Sequence, residues 1–204
     1  GDDGSRIDYN SKLLSKRLTE EGYETQELIR LPGGTPVGER IRDVLFEYSE
    51  ANMSPCTEML LYLASCAQAL EQRIRPALKH GKLVIVERFT DSIMAYQGGG
   101  NGLDVGNIDI ITKLAVNLKP DLTFLLEASE EKSASRLSAG VLKVDDENLR
   151  WIRAIRSTYQ NIAEQEPRRI KVINTESDDD SIAQKEIHDN LIDFLRKVNY
   201  PVRS

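Results

Sequence analysis

Histidine and cysteine are scarce in this sequence, with two of each among 204 residues. Cys56 and Cys66 fall on one expected helix, ten positions apart. At a rise of about 1.5 Å per residue they are about 15 Å apart, too far for an intrachain disulfide. Two free thiols point to a reducing, cytoplasmic setting. His80 and His188 stand in polar helix-end contexts, and no Cys or His has ligand spacing, so no metal site is expected. Positive charge is also in short supply. Lys and Arg number 27 against 33 Asp and Glu, for a formal charge of −6 and a pI near 5.1. That balance argues against a general nucleic-acid binder, and a small anionic ligand would need its own cluster of arginines. No apolar run approaches the ~20 residues of a membrane span. No signal peptide opens the sequence, which starts with the polar Gly1-Asp2-Asp3. Internal repeats and low-complexity segments are absent. The length suits one domain with a proper core, or one domain plus a small lid.

Along the chain, helical and extended patterns alternate. Residues 11–21 place Leu13, Leu14 and Leu18 on one helical face, with Gly22 as the stop. Residues 25–31 predict a strand. Thr35-Pro36 predicts the capped start of a helix through about Phe46, and Ser54-Pro55 the start of a longer one that Pro76 bends before it ends near Gly81. The continuous apolar run at 83–86 suits a strand buried on both faces, and 122–126 and 170–173 read the same way. Helices are expected at 90–97, 108–117, 130–138, 146–163 and 182–197, with 174–181 a polar loop. The alternation predicts an α/β fold, one parallel sheet with helices on both faces, over a single domain 1–204. No strand leads into the Gly-rich turn at the start. Either residues precede Gly1 in the natural chain or the sheet lacks a central member. The first is the expectation, because the second leaves two edges unpaired. Gly98 to Gly102 follows a helix instead of a strand and reads as a flexible turn, not a phosphate loop.

Three segments carry the chemistry: Arg30-Leu31-Pro32-Gly33-Gly34-Thr35-Pro36; Met53 to Ala64 (MSPCTEMLLYLA) with Ala67-Gln68; and Val86-Glu87-Arg88-Phe89-Thr90-Asp91-Ser92 with Ala95-Tyr96-Gln97-Gly98. Ligands of open parallel sheets bind at the carboxyl ends of strands, where Arg30 and Arg88 are expected. Two guanidinium groups converging there can hold one phosphate. Tyr62, on the long helix, is placed to stack on a base. Taken singly, a strand-end Arg also serves as a surface ion pair and a helical Tyr as core.

In order and spacing these segments, together with Gly102-Leu103-Asp104 and Lys119-Pro120-Asp121-Leu122-Thr123, resemble bacterial-type thymidylate kinases over nearly the whole chain. The resemblance implies a P-loop nucleoside-monophosphate-kinase fold, phosphorylation of dTMP to dTDP with ATP and Mg²⁺, and a homodimer. It implies that Arg30 and Arg88 hold the monophosphate and Tyr62 meets the thymine ring. Ser92, Tyr96 and Gln97 would face the nucleoside, and Asp3, Glu87 and Arg88 would act at the reacting groups. Gly1, Gly4, Ser5 and Arg6 would form the ATP-phosphate loop.

The sequence departs from the family at the end of that loop. Arg6 stands in a glycine place, Ile7 in the place of the phosphate-binding lysine, and Asp8 in that of the Mg²⁺-binding hydroxyl. Ser65-Cys66 stands where an acidic residue and a base-reading arginine belong, and Glu87 where Asp is usual. In the lid, around 138–148, only Lys143 is cationic. The degenerate loop gives two readings: an active dTMP kinase, or a catalytically impaired relative that keeps the dTMP pocket and dimer surface as a regulator or partner.

Overall fold

The computed structural model describes residues 5–25, 28–47, 53–138 and 146–201. Its elements in chain order are α1 (Ile7–Glu20), β1 (Ile29–Arg30), α2 (Pro36–Glu47), α3 (Pro55–Ala69), a π-helical stretch (Leu70–Ile74) and α4 (Arg75–Lys79). Next come β2 (Val86–Glu87), α5 (Thr90–Ile93), a second π-helical stretch (Met94–Gly100) and α6 (Val105–Ala115). Then follow β3 (Thr123–Glu127), α7 (Glu130–Ser138), α8 (Asp146–Gln165), β4 (Ile170–Asn174) and α9 (Asp180–Lys197). These form two compact units, residues 24–119 and residues 1–23 with 120–204.

The parallel α/β class matches the expectation, but the strand grouping is different. Among the described residues β1 pairs in parallel with β2, and β3 with β4, in place of one ladder of four. Each pair is joined by its own helical crossover, which is what a parallel pair requires. In residues 24–119, Arg30 lies opposite Glu87 in register. The ladder is longer than its named strands: Leu83 N–H donates to Glu24 O at 2.8 Å, Ile29 N–H to Ile85 O at 3.1 Å, and Leu31 N–H to Glu87 O at 3.0 Å. Ile29, Leu31, Leu63, Cys66, Leu70, Ile74 and Ile93 form the core of this unit. Each large aliphatic among them contributes about 1.5–3 kcal/mol by burial.

The caps read from sequence are in place. Thr35 Oγ1 accepts from Gly38 N at 2.9 Å, and Ser54 Oγ from Thr57 N at 3.2 Å. Ahead of Pro76 the long helix loosens into i→i+5 bonding over Leu70–Ile74, the adjustment open to a helix that meets a residue without an N–H. The expected glycine turn is a correction. Met94–Gly100 stays helical, and the chain breaks only after Asn101. A Cβ at Gly98 would stand 3.0 Å from Val105 Cγ2, so glycine there serves close packing on α6.

In the other unit, α1 begins at Ile7, four residues before the expected start. The Lys12–Asp8 pair at 2.9 Å and the Asn10 N–H to Arg6 O bond at 3.1 Å hold that first turn. Asn10 is buried and takes Gln184 Nε2 of α9 on its side-chain oxygen at 2.6 Å. The ladder of β3 and β4 covers five residue pairs, Thr123↔Ile170 to Glu127↔Asn174, and α8 and α9 both pack on β4.

Candidate functional site

In residues 24–119 the parallel register brings Arg30, Glu87 and Arg88 to the same end of β1 and β2. Glu87 is 3% exposed and lies 3.3 Å from Arg30 Nε through Oε1. Arg30 keeps half its side chain in solvent, so the pair is a buried anchor carrying a partly open cation. Arg88 follows Glu87 with φ at +59°. A non-glycine residue in this region costs on the order of 1 kcal/mol or more and persists only where its surroundings hold it. Here Tyr62 Oη sits 3.3 Å from Arg88 O and 3.1 Å from Leu31 O, tying the residues after both strands to α3. The Arg88 guanidinium donates to Tyr96 Oη at 2.9 Å and lies 5.4 Å from the centre of that ring.

The turn after β1 is held from several sides. Gly33 N–H donates to the buried Ser65 Oγ at 2.8 Å and Gly34 N–H to Glu39 Oε1 at 2.7 Å. Arg42 donates to Pro32 O and Arg73 to Gly34 O, each at 3.0 Å. The Leu31–Pro32 peptide is cis. Ser92 is buried in α5. Gln97, 2% exposed, spends its amide inside the protein: Nε2 donates to Glu58 Oε1 at 2.8 Å, and Oε1 accepts from Asn101 Nδ2 at 2.8 Å. Asn101 also reaches Glu58 Oε2 at 3.2 Å. Sequence reasoning missed Glu58, Arg42 and Arg73. The Gln97–Asn101 contact has i,i+4 spacing and was open to discovery; Glu58 gave no local signal. Cys66 lies in the core at 0% exposure, and burial pushes its thiol up to about 12.

The other unit holds the described end of the Gly-rich turn. Gly1, Asp3 and Gly4 lie outside the described residues, as do 139–145 of the expected lid. Ser5 is fully buried. Arg6 occupies the left-handed region at φ +61°, ψ +36° and precedes α1 directly. This is the conformation a glycine would take at no cost. Its guanidinium is engaged by Asp180 Oδ2 at 2.9 Å and lies 5.1 Å from the centre of the Tyr9 ring. Asp8 is paired with Lys12. Nearby in sequence to Asp180, Glu176 accepts from Ser129 N at 2.6 Å, and Asp178 from Lys132 Nζ at 2.6 Å. The Ser129 amide holds the Glu176 carboxyl below its usual range, and the Lys132 hydrogen bond does the same for Asp178.

The thymidylate kinase family model matches residues 1–187. Among similar proteins, the thymidylate kinase of Pseudomonas fluorescens is 42% identical over 177 residues, covering 85% of this chain and 84% of its own. That of an Exiguobacterium species is 37% identical over 200 residues, covering 97% and 93%. The crystal structure of thymidylate kinase from Ehrlichia chaffeensis superposes with a TM-score of 0.77 at 28% identity, covering 94% of each chain.

Proposed function

The chain belongs to the thymidylate kinase family, and from that premise we propose that residues 24–119 bind dTMP or a related pyrimidine nucleotide while the phosphate loop has lost ordinary ATP handling. Arg88 carries the first half. It is held on a strained backbone, oriented by Tyr96, and stands one residue beyond the buried anchor of Arg30. Both arginines donate to the monophosphate, with Tyr62 and Tyr96 flanking the nucleoside and Ser92 beneath it. Gln97 acts through its bonds to Glu58 and Asn101, which fix the helix that presents Tyr96.

When bound, ATP supplies the phosphoryl group and Mg²⁺ neutralises its charge. The described end of the loop does not fit them. Ile7 offers no cation, the Asp8 carboxylate is turned to Lys12, and the Arg6 guanidinium is taken by Asp180. A catalytically impaired relative that retains the acceptor pocket is the reading these residues favour. The extent of the family match, 42% identity over most of the chain, favours the other reading, an active dTMP kinase. A coupled ADP-release assay with dTMP, ATP and Mg²⁺ decides between them; turnover at the rate of an ordinary family member overturns the impaired reading.

Assembly as a homodimer is part of the proposal. Leu60 of α3 is 49% exposed, and Ile110 and Leu114 of α6 are 58% and 81% exposed, large apolar side chains of the kind an interface covers. Light scattering that gives a monomer at micromolar concentration counts against it. No helix among the described residues is long and apolar enough to cross a membrane. The two free thiols support a cytoplasmic location.

A further inference from the structure

A groove of about 340 Å³ lies on residues 24–119, lined by Gln72, Arg73, Pro76, Ala77, His80 and Lys82. Its construction follows from the helix. Arg73, Pro76, Ala77 and His80 share one face at i, i+3, i+4 and i+7 spacing. Gly81 then takes φ +71°, which lets Lys82 fold back so that its N–H reaches Ala77 O at 3.1 Å. The lysine closes the end of the groove. The lining holds two permanent cations, an imidazole and an amide over an apolar floor of Pro76 and Ala77, and no carboxylate. His80 Nδ1 faces Pro76 O at 2.7 Å, an acceptor only, so that nitrogen carries a proton and the ring is fixed. Lys82 makes no ion pair among the described residues. On a chain of net charge −6, this is a local reversal of sign.

We propose that the groove is a second anion site, for a small phosphate-bearing ligand whose phosphate oxygens accept from Arg73 and Lys82, whose P–OH donates to His80 Nε2, and whose organic part lies on Pro76 and Ala77. The site is connected to the turn after β1, because Arg73 also donates to Gly34 O at 3.0 Å. An anion that draws on Arg73 alters the hold on Gly34, and by linkage a ligand that orders that turn alters the groove. Only this coupling rests on the acceptor-site reading. The binding itself does not, and it is judged without any nucleotide present.

The test is a titration of inorganic phosphate, then pyrophosphate, into the full chain, followed by backbone amide shifts. Saturating shifts at His80 and Lys82 are expected, with the Gly34 amide moving at the same midpoint. The double variant His80→Ala/Lys82→Ala raises the midpoint about tenfold or more, since it removes the charge-assisted bond from Lys82 and the acceptor at His80 Nε2. Arg88→Ala, which disables the proposed acceptor phosphate site, leaves the midpoint unchanged within about twofold. Should the double variant not fold, Lys82→Glu alone serves in its place with the same expected loss. Shifts that fail to saturate, that vanish in Arg88→Ala, or that survive in the groove variants overturn the site. A Gly34 amide that stays still while the groove saturates overturns the coupling.

Discussion

Restoring the loop by Arg6→Gly, Ile7→Lys and Asp8→Ser should rescue ATP binding at little cost in stability. The stability terms nearly cancel. Glycine relieves the left-handed backbone of Arg6 by about 1 kcal/mol, while the lost Arg6–Asp180 pair, with side chains 31% and 12% exposed, gives back about 0.5–1 kcal/mol. The melting temperature should therefore move by only a few degrees, roughly the shift expected for under 1 kcal/mol. The binding terms do not cancel. A lysine about 4 Å from a phosphate contributes about 1 kcal/mol in water and about 4 at an effective dielectric near 20. Removing Asp8 adds less, because Lys12 already neutralises it at 2.9 Å. ATP with Mg²⁺ should bind the triple variant about one to three powers of ten more tightly than the parent. Separate calorimetric titrations of ATP and dTMP measure this, with dTMP affinity expected to stay constant. Micromolar ATP binding by the parent, or a triple variant no tighter than the parent, refutes the argument that the loop is the defect.

Arg88→Ala should reduce dTMP affinity by about a hundredfold, the scale of losing a charge-assisted phosphate contact, read by calorimetry. Tyr62→Phe removes the hydroxyl between Leu31 O and Arg88 O and should cost about 1 kcal/mol in chemical denaturation. Cys56 is exposed and Cys66 buried with its thiol raised to about 12, so iodoacetamide at pH 8 should label one site in the native protein and two in denaturant. Cys66→Arg should unfold the protein instead of supplying a base-reading group, since it places an unpaired charge in the core at about 3 kcal/mol or more. The Glu176 and Asp178 carboxyls are lower in the folded state than their ordinary values of 4.5 and 3.8. Their contribution is therefore present above those values and lost as pH falls through the lower folded ones. Hydrogen-exchange protection of the Ser129 amide, which donates to Glu176, should decline over that acidic window and not between pH 6 and 8.

Short-range physics made much of this protein legible in its sequence. The caps at Thr35 and Ser54, the helices they open, and the apolar runs that became β3 and β4 depend on neighbours within a turn or on a short unbroken apolar stretch. The motif around Arg30, Tyr62 and Arg88 was readable because its order and spacing are linear properties. The degeneracy of the loop at Arg6, Ile7 and Asp8 was equally plain. Tertiary structure decided which polar groups meet. Nothing near Arg6 announces Asp180, nothing near Gln97 announces Glu58, and nothing in Ser65-Cys66 says that both side chains are buried, one gripping Gly33 and the other in the core. The strands' grouping as two pairs also waited on the structure. A buried donor or a strand edge takes whichever partner the packing of distant elements brings within about 3 Å, and that distance is set by three-dimensional geometry that no local pattern encodes.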